Sequence, residues 1–351
     1  MAWLGFDPET GPDGLQRPRR TRLVLSYVPD YVVLVAMAVL WGVISLVHPF
    51  EREFSLTDKT IQYPHKPDSV PFYAAVLLSF VLPAVVVVAW TFFIRRSFHD
   101  MNSGFLGLCI ALVLNMMITN TIKNLAGRLR PDFIARCDLD PAQAHEPAVG
   151  LLTVAVCRQT DLKLLRDGMR SFPSGHTSFS FAGLGYLSLW LAGHAHIGDR
   201  RGHAYKSFMV MVPLLAAALI AVSRTKDYRH HWQDVLAGTI LGLSMAAFGY
   251  RLYYPWPLTT SEDPSRPYRS RISGDDDDDV LPMVADPFKR TGHNAAAEIP
   301  VPYGGSIPAG SAQQPTVAHS LPIDAASLHS QPRGPYARAD SHMQSRESLA
   351  R

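Results

Sequence analysis

Cysteine is scarce in this chain of 351 residues: Cys109, Cys137 and Cys157 are the only three, and no Cys-x-x-C pair or other metal-ligand spacing occurs. That leaves cysteine-based zinc and redox motifs without a foothold, and neither a metal nor a cofactor is expected. There is no Asn-x-Ser/Thr sequon, so no N-linked glycan is expected. The net charge is only +3, and no nucleotide-binding or nucleic-acid-binding motif occurs. Beyond about residue 259 long apolar runs are missing as well, and Pro, Ser, Gly and charged residues dominate, as in "TTSEDPSRPYRSRISGDDDDDVLPMV". Such a segment buries too little apolar surface to offset its ordering entropy, so 259–351 reads as a disordered tail. Within it Asp275 to Asp279 read as a solvated charge run.

Apolar sequence is concentrated before that boundary. Crossing a hydrocarbon layer of roughly 30 Å takes about 20 helical residues, and six stretches meet that length, at about 27–47, 70–93, 103–122, 175–193, 207–223 and 233–254. The fourth and sixth are the weaker, because Ser, Gly and Thr replace some aliphatics, as in helices buried against other helices. The expected organisation is an N-terminal segment 1–26, a six-span domain 27–258 and the tail 259–351. Cys109 falls inside the third stretch as an apolar filler.

Three basic clusters fix an orientation. Arg17, Arg19, Arg20 and Arg22 precede the first stretch, Arg95 and Arg96 follow the second, and Arg200, Arg201 and Lys206 lie between the fourth and fifth. With six spans all three share one side with both termini, and the positive-inside bias makes that side cytosolic. The opposite side receives loop 48–69, loop 123–174 and the short loop 224–232. Cys137 and Cys157 both fall in the long loop, where a disulfide is chemically allowed but is not fixed by the sequence.

Three polar clusters gather at that second face: "KNLAGRLRP" (Lys123 to Pro131), "PSGH" (Pro173 to His176) and "SRTKDYRHHWQD" (Ser223 to Asp234). Lys123, Arg130 and Arg224 supply positive charge, and a guanidinium fork matches two phosphoryl oxygens. Ser174 and Gly175 open a helix whose free N–H groups suit an anion. Each basic residue alone could simply snorkel toward lipid headgroups. All three clusters together point to phosphate. His230 lies four residues before Asp234 and His231 three, so spacing favours neither histidine.

These three segments resemble the signature of the type 2 phosphatidic acid phosphatase superfamily, Lys-x6-Arg-Pro, Pro-Ser-Gly-His and Ser-Arg-x5-His-x3-Asp, with no departure at any signature position. The resemblance covers roughly residues 25 to 256 and is closest to fungal diacylglycerol pyrophosphate and phosphatidate phosphatases. It implies an all-α fold, a six-transmembrane-helix bundle of the haloperoxidase-like type. It also implies hydrolysis without magnesium: His230 attacks phosphorus and Asp234 orients its ring. Lys123, Arg130, Ser174, Gly175 and Arg224 hold the phosphoryl oxygens, while a protonated His176 donates to the leaving oxygen. Arg128 lies off the signature and receives no role. The expected substrate is a lipid phosphate within a bilayer, at a vacuolar, Golgi, endoplasmic reticulum or plasma membrane, with the site luminal or extracellular. A lipid phosphotransferase, such as an inositol phosphorylceramide synthase, and a catalytically silent scaffold are the alternatives.

Overall fold

The computed structural model describes residues 19–140, 150–199, 203–259 and 262–268. Among these the chain is all-α, with isolated bridges (Phe54 to Leu152, Leu139 to Cys157) in place of strands. Helix α1 (Arg19–Ser26) leads into α2 (Val28–Leu46). Helices α3 (Phe72–Val76) and α4 (Leu82–Ala89) are joined by a π-helical turn, Leu77–Val81, and a second one, Trp90–Arg95, extends α4. Pro83 cannot donate to this ladder, and the π turn directly before it is where the helix absorbs the missing bond. Helix α5 (Phe98–Ala126) begins where Ser97 Oγ accepts the Asp100 N–H, at 3.3 Å, and ends at Gly127. Gly127 adopts φ +54°, and a Cβ there would lie 2.1 Å from the Phe50 carbonyl oxygen, so this C-cap requires glycine. The short α6 (Phe133–Cys137) and α7 (Leu162–Gly168) precede α8 (Gly175–His194), α9 (Ala204–Lys226) and α10 (Trp232–Arg251).

Among the described residues four helical runs are long and apolar enough to cross a membrane: Thr21–Leu46, Phe72–Arg95, Phe98–Ala126 and Ala204–Lys226. This corrects the expected six-helix count. Helices α8 and α10 exist where the fourth and sixth stretches were drawn and are 20 residues each, but they fall short in apolarity. The reason is position. Fifteen residues of α8 are buried, including Ser178, Ser180 and Gly183, whereas α2 buries none and exposes Val32, Val35 and Val39. A helix enclosed by α5, α9 and α10 needs small residues for close approach more than aliphatic surface. At Gly238 of α10 an added Cβ would stand 2.8 Å from the Ser174 carbonyl oxygen, so this contact brings α10 against the first turn of α8.

Beside the end of the bundle where α5 finishes lies a second cluster, built on Phe54, Leu129, Phe133, Leu165 and Met169. A disulfide between Cys137 and Cys157 staples it, resolving the question the sequence left open. At the other end Asp100 is buried against Tyr254 Oη, which donates to it at 2.7 Å, and against Arg95 Nε at 3.4 Å and His194 Nε2 at 3.6 Å. Residues just past 259 also dock at that end: Tyr268 N–H donates to Tyr253 O at 2.9 Å and Tyr250 Oη to Pro264 O at 3.3 Å. Arg17, Arg200, Arg201 and the aspartate run Asp275 to Asp279 lie outside the described residues.

Candidate active site

The last turns of α5 and α9, the first turn of α8 and the turn before α10 converge on a cavity of about 340 Å³. Six of the eight residues expected at the site line it: Lys123, Arg130, Gly175, His176, Arg224 and His230. Lys123 sits in the last turn of α5 and its Nζ donates to Arg170 O at 2.7 Å. Arg130 follows the Gly127 cap, and its backbone N–H donates to Gly168 O at 2.8 Å. Arg224 lies in the last turn of α9, and its carbonyl accepts the N–H groups of Arg229 at 3.0 Å and His230 at 3.3 Å, which folds the following turn back over the site. Tyr228 adopts φ +57° within that turn.

The remaining two stand behind the wall. Ser174 is fully buried; its Oγ accepts from Thr177 Oγ1 at 3.0 Å and its N–H donates to Asp234 O at 3.0 Å. Asp234 is also fully buried, with Oδ2 accepting from Ser171 Oγ at 2.5 Å and from His231 N–H at 3.1 Å. The imidazole Nδ1 of His230 is 3.8 Å from the same oxygen, an ion-pair distance longer than a hydrogen bond, and 3.5 Å from Ser171 Oγ. His231 Nδ1 is nearer the carboxylate, at 3.4 Å. Helix α10 starts only at Trp232, so neither histidine is interior to the helix and the helical angle between neighbours does not separate them. What separates them is access, since His230 lines the cavity and His231 does not.

Burial holds the pKa of His230 well below its ordinary value; Asp234 opposes this, and the charges of Arg130 and Lys123 add to it. The ring is therefore neutral near pH 7. Burial and then the Arg224 charge push His176 down to about 4, only partly offset by Asp68. His176 is thus neutral near pH 7 as well, whereas the leaving-group role implies a protonated ring. Burial raises the carboxyl of Asp167, but Arg130 and Arg136 outweigh it and hold that group below the usual carboxylate range.

The cavity is built for an anion. His176 Nε2 and the Nε atoms of Arg130, Arg170 and Arg229 are buried without a hydrogen-bond partner. Buried donors in that state are costly unless a ligand satisfies them.

Residues 104–257 match the PAP2 superfamily. The chain is 40% identical over 237 residues to lipid phosphate phosphatase 2 of Arabidopsis thaliana, an alignment covering 66% of this chain and 78% of that protein. It is 39% identical to diacylglycerol pyrophosphate phosphatase 1 of Saccharomyces cerevisiae, covering 64% and 79% respectively. Against the probable diacylglycerol pyrophosphate phosphatase 1 of Schizosaccharomyces pombe the identity is 37%, covering 68% and 85%.

The chain belongs to the PAP2 superfamily.

It is an integral membrane protein of the PAP2 type, and several groups around its site lie outside the superfamily signature. Arg128, which the sequence left without a role, donates from Nη1 to Asp234 Oδ1 at 2.7 Å. Arg130 Nη2 donates to Asp167 Oδ1 at 2.7 Å, and Arg136 Nη1 donates to Asp167 Oδ2 at 2.8 Å. Arg224 Nη1 donates to Asp68 Oδ1 at 2.9 Å. Sequence reasoning passed over Asp68, Asp167, Ser171 and Arg229 because nothing in their spacing marks them. Asp68 comes from the loop before α3, Asp167 from α7 and Ser171 from the loop after it, and these three meet the signature segments only in the fold, whereas Arg229 fills an unspecified position within the third segment.

Proposed function

We propose that this lipid phosphate phosphatase of the PAP2 superfamily removes the terminal phosphate of diacylglycerol pyrophosphate and phosphatidate through a phosphohistidine at His230. The observation that carries this reading is the placement of His230: its Nδ1 is directed toward Ser171 and Asp234, which leaves Nε2 for the cavity and its cations. The neutral Nε2 forms a bond to phosphorus as the phosphorus–oxygen bond to the leaving group breaks, and that electron pair moves onto the leaving oxygen. Lys123, Arg130, Arg224 and the Gly175 N–H stabilise charge on the remaining phosphoryl oxygens. Ser174 acts from behind, tying the first turn of α8 to α10. Asp234 and Ser171 hold the imidazolium that the N–P bond creates.

His176 is neutral before substrate binds, so it acquires its proton with the substrate. A phosphate dianion favours the charged ring, and a monoanion carries the proton in. His176 then passes it to the leaving oxygen and, as base, activates the water that cleaves phosphohistidine. The acyl chains stay in the bilayer. The site faces the non-cytosolic side, in support of which Arg95 and Lys206 lie at the opposite end of the helices and the Cys137–Cys157 disulfide lies at the site end.

The test is rapid quenching of purified protein, in detergent and EDTA, with terminally labelled diacylglycerol pyrophosphate. An acid-labile, base-stable phosphohistidine is expected in the wild type and in His231→Ala, and none in His230→Ala. Full label and turnover in His230→Ala would overturn the assignment.

A further inference from the structure

The cavity that must receive a phosphate already contains carboxylates. Asp68, in the loop before α3, lines it and is one-third exposed. Its Oδ1 accepts from Arg224 Nη1 at 2.9 Å and lies 3.1 Å from Arg229 Nε, whose N–H is nevertheless unsatisfied. One carboxylate oxygen therefore sits between two guanidinium groups, where a phosphoryl oxygen would sit.

The loop bearing Asp68 is fastened mainly to residues adjacent to the catalytic segment. Asp227 accepts from the Ser69 N–H at 2.7 Å and from Ser69 Oγ at 2.6 Å. Tyr63 stacks on Tyr228 with ring centroids 4.6 Å apart, and Lys66 Nζ lies 4.5 Å from the centre of the same ring. His65 Nδ1 is 2.7 Å from Asp132 Oδ2. None of these anchors needs the Asp68 side chain. The carboxylate can leave the arginines by side-chain rotation while its backbone stays fastened.

We propose that Asp68 is a positioning residue that serves as an internal competing anion: it holds Arg224 and Arg229 in the empty site, yields them to the substrate phosphoryl group, and retakes them as inorganic phosphate departs. Five cations line the cavity (Lys123, Arg130, Arg170, Arg224 and Arg229), and with nothing to oppose them they would retain the product phosphate. Asp68 lowers phosphate affinity by repulsion and by giving the vacated arginines an immediate partner. Arg229, outside the signature, becomes a phosphate-binding residue once Asp68 moves aside. The lipid-phosphatase reading supplies the reaction in which this exchange occurs, but the exchange is measurable without turnover.

The experiment compares wild type, Asp68→Asn and Asp68→Glu in detergent. Inorganic phosphate binding is followed calorimetrically, and steady-state turnover of phosphatidate is followed with added phosphate as inhibitor. Asp68→Asn keeps the size but removes the charge, so phosphate should bind roughly tenfold tighter, with KM and kcat both lower as product release slows. Asp68→Glu should stay near wild type. A general loss of structure would weaken phosphate binding, so it cannot imitate this result. Phosphate bound by Asp68→Asn as weakly as by wild type, or more weakly, would overturn the proposal. If no variant, wild type included, turns over phosphatidate while the phosphate affinities still shift as stated, the lipid-phosphatase reading fails and the anion exchange stands.

Discussion

The two ends of the helical bundle use the same residue types in opposite ways. At one end Asp100 is enclosed by Tyr254, Arg95 and His194, and the neighbouring Tyr27 Oη meets His99 Nδ1 and Ser103 Oγ, both at 2.6 Å. Charge and polar partners there are gathered around a single buried acid. At the other end the cavity collects five cations against Asp68 and Asp167 and leaves buried arginine and histidine nitrogens unsatisfied. Both ends keep buried polar atoms without hydrogen-bond partners, Asp100 Oδ2 and His194 Nε2 among them at the first, so what separates the ends is the cavity and its excess of cations over acids, which suits an anion. Residues 100 and 123 of α5 are about 35 Å apart at 1.5 Å rise per residue, so damage at one end can be read separately from damage at the other.

The largest effect should come from removing the proposed nucleophile. His230→Ala should lower kcat/KM by about four orders of magnitude or more, against a few-fold for His231→Ala, with the thermal midpoint little changed. Steady-state phosphate release together with differential scanning fluorimetry checks both halves. Near-wild-type turnover in His230→Ala would break the comparison at its functional end.

Asp100→Ala is the counterpart at the other end. It removes the side-chain acceptor of the buried Tyr254 hydroxyl and the partner of the partly exposed Arg95, and leaving a buried polar group unsatisfied costs about 1–3 kcal/mol. Thermal denaturation in detergent should show a drop in midpoint, while phosphate release per folded molecule at low temperature stays within a few-fold. A selective loss of kcat with unchanged stability would show that the two ends are not independent.

Smaller effects come from the groups behind the cavity wall. Arg128→Ala removes a 2.7 Å partner from Asp234 and should reduce kcat by roughly tenfold while leaving KM nearly unchanged, because the residue does not line the cavity. Reducing the Cys137–Cys157 bridge removes about 3 kcal/mol of loop constraint, so it should lower the thermal midpoint before it lowers activity. Parallel melts and assays with and without a phosphine reductant measure the order.

The pH dependence sharpens the comparison most finely. Because the pKa of His230 is lowered, its neutral form persists well below pH 6.5, so the acid limb should not appear near that value. His176 is held at about 4, so in the proposed mechanism it takes its proton from the substrate. A phosphate ester loses that proton with a pKa of about 6, so kcat/KM should fall as pH rises above it. His176→Asn should flatten this limb for phosphatidate and cost much less on an activated aryl phosphate, whose leaving group needs little protonation. Equal losses on both substrates with the limb intact would leave His176 only a phosphate-positioning role.

The sequence by itself determined the all-α class, the four strongly apolar helices and the three signature segments, because a lipid-facing helix must be apolar and a phosphate site needs specific donors in a specific order. Lys123, Arg130, Gly175, His176 and Arg224 were legible as parts of those polar segments, while the choice of His230 over His231 came from the resemblance to the superfamily signature. Helices α8 and α10 were over-read as membrane-length apolar spans, since length and a few aliphatics do not reveal that Ser178, Gly183 and Gly238 face other helices. Only the tertiary structure decided that Ser174 and Asp234 stand behind the wall, that Arg128 holds Asp234, and that Asp68 lies on Arg224 across 156 residues of sequence. Contacts of that kind have no period or spacing in the chain. They exist because helix ends and loops distant in sequence converge on one small polar cavity.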